Sequence, residues 1–239
     1  MKRFLKLIIN QNIWNHLRYL KFRIFKLGKF APYNLDTKLN KYLNYDYGYF
    51  IELGANDGFT ESNTLYLEIK KMWRGILIEP SPSQFLDCCL YRSKPGNHLY
   101  CNACVPFDFQ NKYVDIEYAN LMSVSKNIEN HLSDISNHLI SGRQHIMKTA
   151  RSISFGSIAK TLTDIMDDCN APKTIDFLSL DVEGSELSVL KGVDFNKYKF
   201  KYILVECRKL NLIEKFLTQY GYKKIEKLTH HDYLFKYNL

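Results

Sequence analysis

The stretch Tyr49-Phe-Ile-Glu-Leu-Gly-Ala-Asn-Asp-Gly58 decides how the chain folds. Its first five residues form a short apolar run that stops at Gly54, the pattern of a buried parallel strand. Gly54 lets the backbone turn sharply and lets a ligand approach it closely. Gly58 permits a second close approach before the next helix. The spacing is G-x-x-x-G. The dinucleotide fingerprint G-x-G-x-x-G is absent, and no Lys-Ser/Thr pair follows, so neither a hydride-transfer cofactor nor a phosphate-gripping P-loop is expected.

Strands and helices alternate outward from this point. Residues 62–73 read as a helix capped by Thr60 or Ser62, 75–79 as a strand and 82–91 as a helix with an early Pro82. Residues 99–105 read as a third strand and 157–169 as a helix with Leu162, Ile165 and Met166 inward. Then come a strand at 174–180, a helix at 185–191 ended by Gly192, a strand at 202–205 and a helix at 210–220 closed by Gly221. Segments 222–228 and 232–237 form a last strand pair. Such alternation predicts a Rossmann-like, doubly wound, mostly parallel sheet with helices on both faces and one antiparallel strand at the end. Between residues 108 and 156 the pattern lapses into polar, short fragments, expected to be an insertion or lid over the acceptor.

The 239 residues, 46% hydrophobic and 24% charged, suit one soluble α/β domain, here 31–239, with a short appendage. Eleven Gly and six Pro are too few for a disordered or collagen-like chain. The basic excess is local: residues 1–30 hold eight Lys or Arg and no Asp or Glu, which leaves 31–239 formally neutral. A nucleic-acid enzyme more often carries its positive field around the cleft, so no nucleic-acid partner is expected. Within 1–30, Leu5, Ile9, Ile13, Leu17, Leu20, Ile24 and Leu27 recur at helical spacing. Charges interrupt the segment too often for a membrane span, and no cleavage site marks a signal peptide. Two readings stand: an amphipathic helix packed on the domain or on a twin subunit, or one lying on an anionic membrane leaflet. The expected location is the cytoplasm, peripheral to the inner face of the membrane under the second reading. Without a secretory signal the six cysteines are expected to be reduced. Cys101 and Cys104 form a C-x-x-C, but three residues apart on one strand they would face opposite ways and share no metal.

The acid Glu79 ends the second strand, where a carboxylate can accept bonds from both ribose hydroxyls of a nucleoside. Asn102 follows the start of the next strand and is a candidate for the adenine side. A neutral-to-acidic loop suits S-adenosylmethionine (SAM), whose sulfonium and amino group are cationic. The second unusual stretch is Asp176-Phe-Leu-Ser-Leu-Asp-Val-Glu-Gly-Ser-Glu186. Its strand ends beside the first, across the topological switch where ligands bind. Asp181 or Glu183 is placed to serve as base or to orient an acceptor, while Glu186 reads as a helix-start acid. With Glu206 at another strand end, Asp181 and Glu183 make three carboxylates of the type that holds Mg²⁺ or Mn²⁺. His131, His138 and His145 recur every seven residues. On one helix they would stand about 10.5 Å apart, at a rise of about 1.5 Å per residue, so they read as surface or lid residues, one of them a candidate base. His230 and His231 have no evident partner.

From about Tyr49 to Tyr237 the chain resembles the FkbM-type methyltransferases, a branch of the SAM-dependent Rossmann-like enzymes. The resemblance is carried by Phe50-Ile-Glu-Leu-Gly-Ala-Asn-Asp-Gly58, Gly75-Ile-Leu-Ile-Glu-Pro80, Thr161-Leu-Thr-Asp-Ile165, Ile175-Asp-Phe-Leu-Ser-Leu-Asp-Val-Glu-Gly184 and Tyr202-Ile-Leu-Val-Glu206. The Asp181-Val-Glu-Gly184 stretch, with Glu186 and Leu190-Lys-Gly192, is the most specific. The resemblance implies O-methylation, often of sugars in bacterial surface polysaccharides or of small metabolites. It implies SAM contacts at Glu52, Gly54, Ala55, Asn56, Asp57, Gly58 and Glu79, and a cleft near Asp181 and Glu183. The alternatives are a nucleic-acid or protein methyltransferase and a silent SAM-binding scaffold. The Asn/Asp-Pro-Pro-aromatic motif of base methylation is absent, and a scaffold needs none of Glu52, Gly54, Gly58 and Glu79. Under the membrane reading, the full chain floats with anionic vesicles and a form starting near Ala31 does not. Equal recovery of both forms would remove that reading.

Overall fold

The computed structural model describes residues 17, 19, 20, 24, 31–119, 122–143 and 153–238. In chain order the elements are α1 (Leu35–Leu39), β1 (Tyr49–Leu53), α2 (Leu65–Lys71), β2 (Arg74–Ile78), α3 (Pro82–Arg92), β3 (His98–Tyr100), β4 (Ala103–Cys104), β5 (Tyr113–Glu117) and β6 (Val124–Ser125). They continue with α4 (Ile135–Arg143), β7 (Ser154–Lys160), α5 (Leu162–Asp168), β8 (Thr174–Leu180), α6 (Glu186–Leu190), β9 (Lys199–Glu206), α7 (Leu210–Thr218), β10 (Tyr222–Lys227) and β11 (Asp232–Tyr237).

Seven strands form the main sheet in the order β10-β11-β9-β8-β1-β2-β3. β11 runs antiparallel to both its neighbours, and the pairs from β9 across to β3 are parallel. Alternation along each strand feeds two cores. Ile51 and Leu53 of β1 pack with Leu178 and Leu180 of β8 and with α5, α6 and α7 through Ile165, Leu190 and Ile213. Phe50 and Phe177 point the other way, onto Leu35 and Leu39 of α1, Leu67 of α2 and Cys88 of α3. The result is the doubly wound three-layer α/β architecture that the alternation implies.

A second sheet, β4-β7-β5-β6, uses strands between residues 103 and 160. It buries Val114 and Ile116 against Ala103 and Val105, while Leu139 of α4 packs on Ala119 and Val124.

Three sequence expectations are corrected. Residues 99–105 are not one strand. The chain leaves the main sheet after Tyr100 and enters the second at Ala103, so Cys101 lies between strands, and all six cysteines are free. Residues 157–169 are not one helix: 154–160 pair with β5, and the helix begins only where Thr161 accepts a hydrogen bond from the Asp164 amide at 3.0 Å. Gly192 follows the helix Glu186–Leu190 and its cap Lys191, as the sequence implies. A side chain there would meet the Val105 carbonyl oxygen at 2.1 Å, so close packing excludes any larger residue. His131 and His138 do not share a helix, because α4 begins at Ile135; His145 lies outside the described residues.

Most of the N-terminal segment also lies outside them. Leu17, Tyr19, Leu20 and Ile24 are helical. Tyr19 is buried against Phe59 and Tyr91 and donates its hydroxyl to the Tyr91 carbonyl at 2.8 Å. Leu17 and Ile24 are exposed. Among the described residues no helix is long and apolar enough to cross a membrane.

Below the first turn sits a buried ionic hub. Glu52 points to the α2–α3 face, where it accepts bonds from the Ser62 hydroxyl (3.0 Å), the Asn63 amide (2.8 Å) and the Thr64 hydroxyl (2.5 Å). Arg92, 0% exposed, donates to Glu68 (2.8 Å), Thr64 (2.8 Å), Ser62 (3.0 Å) and the Gly58 carbonyl (3.0 Å), and reaches Glu52 at 3.5 Å. Burial alone would raise the Glu68 carboxyl, but Arg92 and Lys94 beside it bring it below its usual value. Removing one partner leaves an uncompensated buried charge, so Arg92→Met is expected to cost about 3–5 kcal/mol. Chemical denaturation checks this, and a loss below about 1 kcal/mol would mean the hub is not a unit.

Candidate active site

A cavity of about 560 Å³ opens beyond the carboxyl ends of the strands, where the sheet order reverses between β1 and β8. That is where doubly wound sheets bind ligands, and the volume is that of a small-molecule site. Gly54, Glu79 and Asp181, contributed by three different strand ends, all border it.

The backbone explains the glycine. Gly54 has φ +74, and a Cβ there would lie 1.9 Å from the Asp181 carbonyl oxygen. The amides of Gly54 and Ala55 both donate to the Ile78 carbonyl at 3.1 Å, which folds the turn over the end of β2. Asn56, at φ +47, then donates its amide to Glu79 at 2.8 Å. The other Glu79 oxygen accepts from the Ser81 amide at 2.9 Å. Each carboxylate oxygen keeps acceptor capacity toward the cavity. Burial, aided by Asp57, raises the Glu79 carboxyl to about 7 against the pull of these two amides.

The expected nucleoside contacts divide. Gly54, Asn56, Glu79 and Asn102 border the cavity, Asn102 with its side chain also donating to the Ile158 carbonyl at 3.1 Å. Glu52 borders it too, but its oxygens are taken by Ser62, Asn63 and Thr64, so it holds the 62–64 loop that forms part of the wall. Ala55, Asp57 and Gly58 stand behind the wall. Ala55 is in the core, Asp57 caps the turn by accepting the Phe59 and Thr60 amides, and Gly58 packs on Arg92 and Cys88.

Across the switch, Val182-Glu-Gly184 makes a tight turn with Glu183 at φ +51 and Gly184 at φ +97. Residues 129–132 clamp it. Asn130 donates to the Glu183 carbonyl at 2.9 Å, and the His131 amide to the Gly184 carbonyl at 2.8 Å. A side chain at 184 would strike Asn130 Oδ1 at 2.5 Å. Glu186 turns back to accept the Gly184 amide at 2.9 Å, the helix-start role read from the sequence.

The turn aims Glu183 at α4, where His138 is buried with Nε2 3.0 Å from Glu183 Oε2. The pair has ion-pair distance but not hydrogen-bond alignment, and both residues line the cavity. His138 is therefore no surface histidine. Its heptad spacing gave no sign of this, because the partner is 45 residues away in sequence.

Asp181 stands on the cavity floor, reachable through the cavity but enclosed by protein on its other sides. Burial first, then Glu206 and Glu183, raise its carboxyl well above the usual range. Glu206 shares a hydrogen bond with Asp181 and is raised to about 7 by burial and by Asp232, its direct cross-strand partner between β9 and β11. The candidate metal ligands Asp181, Glu183 and Glu206 do not converge. Glu183 faces His138, and among the described residues no group of three or more His, Cys, Asp or Glu is arranged to hold a metal ion. What the floor offers instead is a cluster of acids whose burial and mutual repulsion oppose ionisation.

The sequence model described as "Methyltransferase FkbM domain" matches residues 52–224, from Glu52 through the strand ends just described. The chain belongs to the FkbM methyltransferase domain family. It is a methyltransferase, and the methyl donor of this family is SAM. No curated protein matches the sequence. Among solved structures the methyltransferase is similar to precorrin-6Y C5,15-methyltransferase from Geobacter metallireducens, with 12% identity, 87% of this chain and 90% of that one covered, and a TM-score of 0.43. It is also similar to a putative caffeoyl-CoA O-methyltransferase from Staphylococcus aureus, with 10% identity, coverage of 98% and 96%, and a TM-score of 0.43.

Raised carboxyls carry a stability signature. Glu79, Glu186 and Glu206 hold their protons to about 7 in the fold, against 4.5 when free. Stability present in full below the free value is lost as pH climbs through the folded value. The lowered carboxyls Glu68, Glu129 and Asp167 act in the opposite sense, below the free values. The melting temperature of the methyltransferase is thus expected to fall between about pH 5 and pH 8, and less steeply in Glu186→Gln. A melting temperature that rises over that interval would contradict the protonation of these acids.

Proposed function

We propose that this methyltransferase transfers the methyl group of SAM to a hydroxyl of a sugar or small metabolite. The observation that carries the reading is the single cavity that joins a nucleoside end, Gly54, Asn56 and Glu79, to a chemical end, Asp181, Glu183 and His138. The residues fit the donor. Glu79 has acceptor capacity for ribose hydroxyls, and the acids at Asp181, Glu206 and Asp232 favour a nearby sulfonium and ammonium. SAM supplies an electrophilic methyl carbon.

Methylating a hydroxyl requires that its proton be taken as the oxygen attacks. His138 is the base in this reading, and Glu183 holds the ring and stabilises the imidazolium. Asp181 stands where the donor's cationic end would lie, and that charge would favour the ionised form of its raised carboxyl. Asn102 borders the adenine side. The exposed Leu17 and Ile24, with the basic charge of residues 1–30, support seating the enzyme on an anionic leaflet beside a membrane-linked glycan.

Labelled SAM incubated with a panel of glycans and followed by mass spectrometry tests the reaction. Methyl ethers are the expected products. His138→Ala and Glu183→Gln are expected to lower turnover about 10²-fold or more while SAM affinity changes little. Unchanged turnover in both variants would place the base elsewhere, and methylated nitrogen in place of oxygen would overturn the reading.

A further inference from the structure

The rim of the cavity beyond Asp181 carries one guanidinium and two imidazoles. Arg208 follows the end of β9, and His230 and His231 occupy the turn between β10 and β11; all three line the cavity. Arg208 is exposed and makes no salt bridge among the described residues. Its charge lowers the carboxyl of Glu206 and, after burial, helps hold His231 below its ordinary value. His231 is then a neutral donor or acceptor near pH 7. The His230 ring stands edge-on to Tyr33, their centroids 6.0 Å apart, which fixes it at the rim. Asp232, the acid nearest the two histidines in sequence, accepts the Thr229 hydroxyl on its carboxylate, and its own amide donates to that hydroxyl oxygen at 3.1 Å.

This rim is suited to an oxyanion. A guanidinium in no salt bridge among the described residues, lining the same cavity as two imidazoles, has its planar donors available for phosphate or carboxylate. A neutral polyol would leave that charge unmatched. Position narrows the class further. Asp181, Arg208 and His231 sit at the ends of β8, β9 and β11, consecutive in the sheet. Neighbouring strands are about 4.8 Å apart, so Arg208 and His231 lie about 5–10 Å across the sheet from the Asp181 floor. That is the reach of one sugar ring and a substituent.

We propose that Arg208, with His230 and His231, binds an oxyanion of the acceptor, a phosphate or carboxylate carried about one sugar ring from the hydroxyl that is methylated. The proposal rests on the methyl-transfer reading and names its substrate class, an acidic or phosphorylated sugar.

The test is calorimetry on the full chain saturated with S-adenosylhomocysteine. Inorganic phosphate, pyrophosphate, glucuronate and methyl glucoside are titrated in turn, and the series is repeated on Arg208→Ala and His230→Ala. At least one oxyanion is expected to bind, and methyl glucoside is not at the same concentrations. Phosphate or pyrophosphate binding points to a phosphorylated acceptor, glucuronate binding to an acidic sugar. Arg208→Ala is expected to weaken the oxyanion at least about tenfold, the loss of one charge-assisted bond, with S-adenosylhomocysteine affinity held within about twofold. Arg208 is exposed, so the variant should fold normally. No oxyanion binding to the loaded wild type, or binding indifferent to Arg208→Ala, would overturn the proposal. Failure of S-adenosylhomocysteine itself to bind would instead remove the methyl-transfer reading, and this proposal with it.

Discussion

No side chain fits between residue 54 and the backbone of Asp181. A Cβ at Gly54 would lie 1.9 Å from the Asp181 carbonyl oxygen, and the residue's φ of +74 is one that only glycine adopts without strain. This contact brings the ends of β1 and β8 together at the point where the sheet order reverses. On one side of it the chain bends over Ile78 and delivers the Asn56 amide to Glu79. On the other it leads into the Glu183–Gly184 turn, which faces α4. The nucleoside end and the chemical end of the cavity are thus two consequences of one backbone crossing.

The charges above and below that crossing are managed differently. Beneath it, Arg92 is matched by Glu52 and Glu68 and by three neutral acceptors, so the buried ions are nearly fully satisfied. Above it, Asp181, Glu206 and Asp232 crowd one another with no buried cation among them, and Glu206 and Asp232 face each other directly across the strands. Like charges so placed destabilise a sheet. The cost is reduced by protonation in the free protein and would be reduced again by a cationic ligand. The hub keeps the turn rigid; the acid floor gives the cavity its preference.

The fold was legible because β1, β2, β8 and β9 are nearly uninterrupted apolar runs, each ended by glycine or an acid. Glu79 and Asp181 were legible for the same reason, as polar residues where an apolar strand stops. Where the chain changes sheets the signal failed. Residues 99–105 are apolar but for Asn102, yet the break after Tyr100 depends on the edge of one sheet and the start of another. The roles of Glu52 and Asp57 were also hidden. Glu52 stands in β1 and Asp57 in the glycine turn, but their oxygens serve Ser62, Thr64 and the Phe59 and Thr60 amides, which only the folded loop brings near. His138 and Glu183, on separate elements, meet through the clamp of residues 129–132 on the Gly184 turn.

The most direct test is a crystal structure of the full chain with S-adenosylhomocysteine. The ribose hydroxyls should bond Glu79, and the sulfur should face the Asp181 floor beside the Gly54 turn, with His138 and Glu183 on the acceptor side of it. A nucleoside bound away from Glu79, or a sulfur turned from Asp181, would contradict the placement on which the chemistry depends.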